Sequence, residues 1–279
     1  MRTVTADTLS REMEKLCGRA NFDLPHDVIE KLKEFAGREE GVSKSILGDI
    51  IENAVIAARE KIPLCQDTGT ANVFVKLGRE VLIEGGNIYD AINKGVAAGY
   101  KNNYLRKSVV SDPLRRENTG DNTPANIYID LVDGDKIEIA FLPKGGGSEN
   151  ASALKMLEPS AGWDGVKEFV LNAVKDKGKN ACPPLVIGVG IGGDFASVGK
   201  LAKTALLRDL SSHNPDSFYS EKERELLSAV NALGIGPMGM GGETTALAVL
   251  IETAPAHIAS LPAAVSIQCH CDRRKKIVI

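Results

Sequence analysis

At 279 residues, of which 43% are hydrophobic and 25% charged, the chain is an ordinary globular sequence long enough for a substantial core in roughly one or two domains. A formal net charge of -3 leaves no basic field for nucleic acid or for an anionic membrane surface. No apolar run approaches the ~18 residues of a membrane span, and Met1 to Thr5 lead straight into a polar amphipathic helix without a signal core, so a cytoplasmic location is expected.

In chain order, residues 5 to 60 predict three amphipathic helices, at about 5 to 20, 26 to 38 and 43 to 60. Cys17 reads as a core residue of the first, and His26 as a surface residue at the start of the second. The stretch Lys61-Ile62-Pro63-Leu64-Cys65-Gln66-Asp67-Thr68-Gly69-Thr70 then packs a thiol, an amide, a carboxylate, two hydroxyls and a glycine into one loop. Pro63 closes the helix before it, and Ala71 to Leu77 read as a strand after it. On this stretch alone, a buried Cys with an Asp-Thr-Gly turn is as good a reading as a ligand site.

A short strand at 80 to 83 and a helix from 87 to 105 follow. The polar loop Ser111 to Thr123, with Arg115 and Arg116, is long for a compact domain unless it binds something. Alternation in Ile127 to Val132 and Lys136 to Phe141, around Asp133-Gly134-Asp135, predicts a hairpin. Lys144-Gly145-Gly146-Gly147-Ser148 offers backbone N–H groups after a strand, either to an anion or merely as a flexible turn. A helix at 162 to 177 leads to Cys182, in a loop at the entrance of the strand Leu185 to Val189.

Gly188-Val189-Gly190-Ile191-Gly192-Gly193 satisfies G-x-G-x-x-G and precedes a helix predicted over 195 to 210. A dinucleotide site needs an acidic residue ending a second strand about 20 residues on, and Asp209 lies instead at a helix end, so nucleotide binding is not supported. His213 reads as a surface residue. A charged helix from 220 to 233 ends in Gly234-Ile235-Gly236-Pro237-Met238-Gly239, and strands at 246 to 253 and 263 to 269 flank His257. Cys269 ends the last strand, and Asp272 to Lys276 read as a cationic tail.

The five cysteines, Cys17, Cys65, Cys182, Cys269 and Cys271, are an odd and widely spaced set, which is neither a disulfide framework nor a ferredoxin ladder. Cys65, Cys182 and Cys269 share a context, each at a strand or helix terminus in a loop with glycine or proline nearby.

Pro63-Leu64-Cys65-Gln66-Asp67-Thr68-Gly69 resembles the first cluster-ligand motif of the iron-sulfur hydro-lyases, the class I fumarases and L(+)-tartrate dehydratases, in their alpha subunit or N-terminal half. Asn118-Thr119-Gly120-Asp121-Asn122-Thr123-Pro124, Lys144 to Asn150, Gly234 to Gly239 and Gln268-Cys269-His270 resemble the same family in the same order, so the likeness spans nearly the whole chain.

The resemblance implies that Cys65, Cys182 and Cys269 ligate a [4Fe-4S] cluster with one iron left without a protein ligand. That iron acts as a Lewis acid on the substrate hydroxyl. Cys271 departs from the family pattern and stands as an alternative ligand to Cys269. Asp67 and His257 are implied as the proton-handling groups, and Gln66, Arg106, Gly146 and Gly147 as substrate contacts. The expected reaction is reversible hydration of fumarate to malate, with tartrate to oxaloacetate as the alternative. A non-catalytic iron-sulfur or zinc module would need the same cysteines but not Asp67, Arg106 and His257.

The expected fold is mixed α and β, of the α+β type. A helical part, 1 to 60, precedes a cluster- and substrate-binding part, 61 to 279, with short mixed sheets around a cluster-binding crevice. Family members in one piece continue into a further domain that supplies a base and a second carboxylate clamp. The resemblance therefore implies a separately encoded beta subunit, in a higher oligomer such as a heterotetramer.

Overall fold

The computed structural model describes residues 1–279. Chain contacts divide them into two units that interleave along the sequence. The first comprises Met1–Pro25, Ala54–Gly146 and Arg273–Ile279, and the second His26–Asn53 and Gly147–Asp272.

In the first unit, β1 (Arg2–Thr5) pairs in parallel with β3 (Val81–Glu84). Helix α1 (Ala6–Phe22) begins where the Thr5 hydroxyl accepts from the N–H of Thr8, and Asp7 in its first turn suits the positive end of the helix dipole. Leu9, Met13, Leu16, Cys17 and Ala20, spaced three or four apart, form the stripe that it buries. Later in the chain come α2 (His26–Ala36), α3 (Gly41–Glu60) and then α4 (Ile88–Asn102), which begins under an Asn87 cap and packs Ala91, Ile92, Val96 and Tyr100 into the same core as α1. That core lies on a four-stranded sheet of β2 (Thr70–Gly78), β4 (Asn126–Val132), β5 (Ile137–Lys144) and β10 (Lys275–Val278), in the order β10-β5-β2-β4.

Two expectations fail in this sheet. The strands either side of Asp133-Gly134-Asp135 form where alternation predicts them, but they do not pair as a hairpin. β2 runs between them, with Val73 opposite Ile127 of β4 in parallel and opposite Phe141 of β5 in antiparallel register. The connection wraps the end of β2, accepting from the N–H groups of Gly78, Arg79 and Glu80 at the carbonyls of Lys136, Val132 and Gly134. The physical reason is burial: β2 and β5 are covered almost throughout and need both edges paired, whereas β4 is half-exposed and suits an edge.

Nor are residues 272 to 276 a solvated tail. Asp272, Arg273 and Arg274 are buried, and Lys275–Val278 pairs antiparallel with β5, Ile277 opposite Ile139. Apolar Ile277 and Ile279 pack on the first core and draw the preceding basic residues inward.

In the second unit, α5 (Gly146–Asn150), a short helix straddling the boundary between the units, leads to the sheet β6-β9-β7-β8, built from β6 (Ala153–Leu157), β7 (Leu185–Gly193), β8 (Ala246–Ala256) and β9 (Leu261–Gln268). β7 is central, parallel to β8 and antiparallel to β9. Its continuous apolar run fits a strand covered on both faces. Val166, Val170 and Val174 of α6 (Gly162–Lys177) and Leu226 and Val230 of α8 (Ser217–Asn231) share a core with Ile187, Val189, Ile251 and Val265.

The glycines of the apparent nucleotide motif lie within β7, not in a loop. A Cβ on Gly188 would stand 2.1 Å from the Ala202 carbonyl oxygen and one on Gly190 2.4 Å from that of Val198, so these glycines let the backbone of α7 (Val198–Ala205) approach the strand. α7 is shorter than the predicted 195 to 210. At its start the Asp194 carboxylate accepts from the N–H groups of Ala196 and Ser197 and holds a turn in place of helix.

Candidate functional site

Cys65, Gln66, Asp67, Arg106 and Gly146 belong to the first unit, and Gly147, Cys182, His257 and Cys269 to the second.

In the first unit the loop between α3 and β2 is fixed at several points. The N–H of Leu64 donates to the Asn21 carbonyl at 2.9 Å. The Asp67 carboxylate accepts from the N–H of Gly146 at 2.7 Å and of Gly69 at 3.1 Å, and the Thr68 hydroxyl donates to the Arg106 carbonyl at 2.9 Å. The structure thus brings Asp67, Gly146 and the backbone of Arg106 to the loop that carries Cys65. Gly69 has φ +75, and a Cβ there would lie 2.6 Å from the carbonyl carbon and oxygen of Lys144, so only glycine fits this turn into β2. Cys65 and Asp67 are half-buried, while Gln66 and Arg106 are exposed. The Gly146 N–H, expected to face substrate, is occupied by Asp67.

In the second unit Cys182 sits in the left-handed region at φ 53, ending a short 3-10 turn before β7. Its carbonyl oxygen receives the N–H of His270 at 3.3 Å and lies 3.0 Å from the His270 Nδ1. His270 follows Cys269 directly, so the two cysteines stand in neighbouring segments. The N–H of Met238 donates to the Pro183 carbonyl at 2.8 Å, which fastens the Gly234 to Gly239 loop beside them. A Cβ on Gly147 would come within 2.9 Å of the Asn180 carbonyl oxygen, so this glycine too serves a close approach near Cys182.

His257 is not brought to these cysteines. Register places Gly193 opposite Ala256 at one end of β7, whereas Val186 pairs with Gln268 at the other. Seven steps of β7 at about 3.3 Å each separate those two registers and put His257 roughly 23 Å away. It is exposed in the turn between β8 and β9, and its Nδ1 accepts from the N–H of Ala259, which leaves the proton of the neutral ring on Nε2.

None of the five cysteines is in a disulfide. Cys17 and Cys271 are buried, and burial pushes the Cys17 thiol far above its ordinary range. Cys182 is exposed and Cys65 and Cys269 are half-buried, so the accessible thiols are the three of the expected cluster set. No three His, Cys, Asp or Glu side chains are gathered around a single ion. An iron–sulfur cluster takes a separate thiolate for each iron it binds through protein, so accessible thiols, not a His/Cys/Asp/Glu cage around one ion, are the donor chemistry it would need.

Sequence reasoning missed what lies behind the loop of the first unit. Arg273, buried at 1% exposure, donates from Nη2 to the Asp67 carbonyl at 3.0 Å and from Nη1 to Asn21 Oδ1 at 3.1 Å. The Tyr100 hydroxyl lies 3.0 Å from the Thr68 carbonyl oxygen and 2.9 Å from that of Gly69, which also accepts from Asn122 Nδ2. The alternation of Lys275 to Ile279 was the signal that could have turned the cationic run into a buried strand entrance.

The candidate groups are accessible thiols and a carboxylate held by backbone amides, on a scaffold whose glycine motif lies inside a strand packed against α7. The chain belongs to the fumarate hydratase (Fumerase) family, whose family model matches residues 10–278. It is a hydro-lyase chain, one that adds or removes water at a carbon–carbon double bond. Over 273 residues it is 45% identical to a Methanocaldococcus jannaschii chain provisionally named L(+)-tartrate dehydratase subunit alpha, covering 95% of each. It is 33% identical over 261 residues to the L(+)-tartrate dehydratase subunit alpha of Escherichia coli O157:H7, covering 92% of this chain and 86% of that one. The corresponding subunit of Escherichia coli K12 is 32% identical over 260 residues. No helix is long and apolar enough to cross a membrane.

Proposed function

We propose that the chain is the cytoplasmic alpha subunit of a [4Fe-4S] hydro-lyase that interconverts fumarate and malate, its site completed by a separately encoded beta subunit in a higher oligomer such as a heterotetramer. The observation that carries the reading is the Asp67 carboxylate, fixed by the N–H groups of Gly146 and Gly69 two residues from the Cys65 thiol. Family membership and the alpha-subunit names of the relatives support it.

Cys65, Cys182 and Cys269 would hold the cluster, whose chemistry when bound is that of a Lewis acid that makes hydroxide a tolerable leaving group. Asp67 handles the proton at its carboxylate, oriented by two N–H donors so that little reorganisation is needed on reaction. The exposed Arg106 guanidinium offers a planar fork to one substrate carboxylate, with the Gln66 amide and the Gly147 N–H as further contacts. Gly146 acts through Asp67, which takes its N–H. His257 is proposed as a second proton-handling group, but its distance from Cys182 and Cys269 means that it cannot act at the cysteines of its own unit.

The second substrate carboxylate is left to the beta subunit, because desolvating it without a partner is costly. The names of the relatives favour a second reading, L(+)-tartrate to oxaloacetate, which differs by recognition of one extra hydroxyl. The test is an anaerobic assay of the iron-loaded chain with malate, fumarate and L(+)-tartrate, alone and mixed with its beta subunit. Malate and fumarate turnover only in the mixture is expected. Faster tartrate turnover selects the second reading, and full turnover by the lone chain overturns the two-subunit reading.

A further inference from the structure

Three successive carbonyls of the Cys65 loop are fastened from behind by side chains of the first unit. The Asp67 carbonyl takes Arg273 Nη2 at 3.0 Å, the Thr68 carbonyl lies 3.0 Å from the Tyr100 hydroxyl, and the Gly69 carbonyl takes Asn122 Nδ2 at 3.2 Å. Arg273 is the unusual member. Its guanidinium is fully buried, yet its recorded partners are a main-chain carbonyl and the Asn21 amide oxygen, and its Nε has none. A buried charge is normally paired with an opposite one, so neutral partners make a costly arrangement that packing alone does not call for.

Asn21 is in turn locked. Its Nδ2 donates to the Cys17 carbonyl at 2.9 Å, and its own carbonyl accepts the N–H of Leu64, immediately before Cys65. Arg273 therefore spans the loop from the far side, holding its exit at Asp67 directly and its entrance at Leu64 through Asn21. A planar fork can make both contacts at once, which a single ammonium cannot.

We propose that Arg273 is a positioning residue of the active site, which sets the placement of the Cys65-Gln66-Asp67 segment by bridging the Asp67 carbonyl to Asn21. The proposal rests on the reading of Asp67 and Cys65 as working groups. Arg273 acts through the loop and touches no substrate. Its strand entrance delivers it there: Lys275–Val278 pairs with β5, whose Lys144 lies opposite Thr70 at the loop's exit, so one sheet registers the guanidinium, the loop and the Gly146 amide together.

The test uses Arg273→Lys, which keeps the charge and loses the bridge, and Asn21→Ala, which keeps Arg273 and removes its second anchor. Amide hydrogen exchange on the full chain is measured by mass spectrometry, and malate turnover and iron content on the complex with the beta subunit. Arg273→Lys is expected to speed exchange in peptides covering residues 64 to 70 by about tenfold to a hundredfold while β7 and β9 are unchanged. It should lower kcat at least tenfold at near-normal iron content, since small displacements of a reacting group cost that much. Asn21→Ala should act in the same direction and less.

Unchanged loop exchange in both variants overturns the proposal. So does faster exchange spread evenly over the first unit with kcat per bound cluster unchanged, which marks Arg273 as a stability residue alone. If the wild-type complex turns over no dicarboxylate, the functional reading fails, and the exchange measurement still decides whether Arg273 holds the loop.

Discussion

Replacing Asp67 with Asn probes the carboxylate that the functional reading depends on. Two N–H groups converge on it, from Gly146 at 2.7 Å on Oδ2 and from Gly69 at 3.1 Å on Oδ1. The carboxamide keeps the shape but has one acceptor oxygen. Whichever way it turns, its NH2 faces one of the two N–H groups, donor against donor. One charge-assisted bond is lost and the other weakened. Such bonds contribute about 1.5–3 kcal/mol each when buried, and Asp67 is only half-buried, so water takes up part of the loss and a destabilisation of about 1–2 kcal/mol is expected. Turnover should fall by about 10² or more if the carboxylate moves a proton in the rate-limiting step. Urea unfolding of the chain measures the first quantity, and anaerobic fumarate formation by the assembled complex, normalised to iron content, the second. Unchanged turnover removes Asp67 from the chemistry, and an unchanged urea midpoint refutes the claim that these two contacts hold the loop.

After anaerobic reconstitution, Cys65→Ser, Cys182→Ser and Cys269→Ser should each lose bound iron while Cys17→Ser keeps it, by iron analysis and visible absorption; the reverse pattern for Cys17 and Cys182 refutes the ligand set. Arg106→Ala should raise KM for malate with kcat little changed, as for a clamp that grips ground and transition states alike, and the opposite split would make Arg106 part of the chemistry. Gly69→Ala should destabilise the chain by about 2–4 kcal/mol in urea, because a Cβ at φ +75 meets the Lys144 backbone, and native-like stability would disprove that contact. Lys167, then Lys222 and Trp163, hold the Glu225 carboxyl at about 2, below its ordinary 4.5. A depressed value stabilises the folded chain above pH 4.5 and loses that effect as pH falls toward 2. The stability gap between wild type and Glu225→Gln should therefore close over that window, and a gap that persists below it rules the ion cluster out as its source.

Much of the scaffold is legible in local pattern. The stripe Leu9, Met13, Leu16, Cys17, Ala20 announces α1, and the apolar runs of β7, β8 and β9 announce the second sheet, because each element's own side chains decide which face it buries. The Cys65, Cys182 and Cys269 loops share a local context, but their reading as a ligand set comes from the family resemblance and not from local pattern. What local pattern cannot carry is pairing over long separations. Asp133-Gly134-Asp135 is good hairpin chemistry, but whether β4 meets β5 depends on β2, some fifty residues earlier, and burial of β2 outweighed the turn. Arg273 is the sharpest case. In the run Asp272 to Lys276 it has no local reason to be inside, and only the pairing of β10 with β5 and the waiting Asp67 carbonyl and Asn21 Oδ1 put it there. His257 differs again: resemblance implies a role for it, and the register of β7 and β8 sets it at the far end of its sheet from Cys182 and Cys269.

The interleaving of the two units carries a consequence for the order of biosynthesis. Residues 147–272 lie between the bulk of the first unit and the segment Arg273–Ile279 that carries Arg273 and β10, so a nascent chain has made α1, α4, β2, β4 and β5 well before β10 exists. Until then β5 has an open edge and the carbonyl of Asp67 lacks its guanidinium. Such a chain resembles a clasp whose catch is made well after the parts it holds, and an edge left open during synthesis invites pairing with other chains. The loop that presents the Cys65 thiol is therefore fastened only after Arg273 has been made.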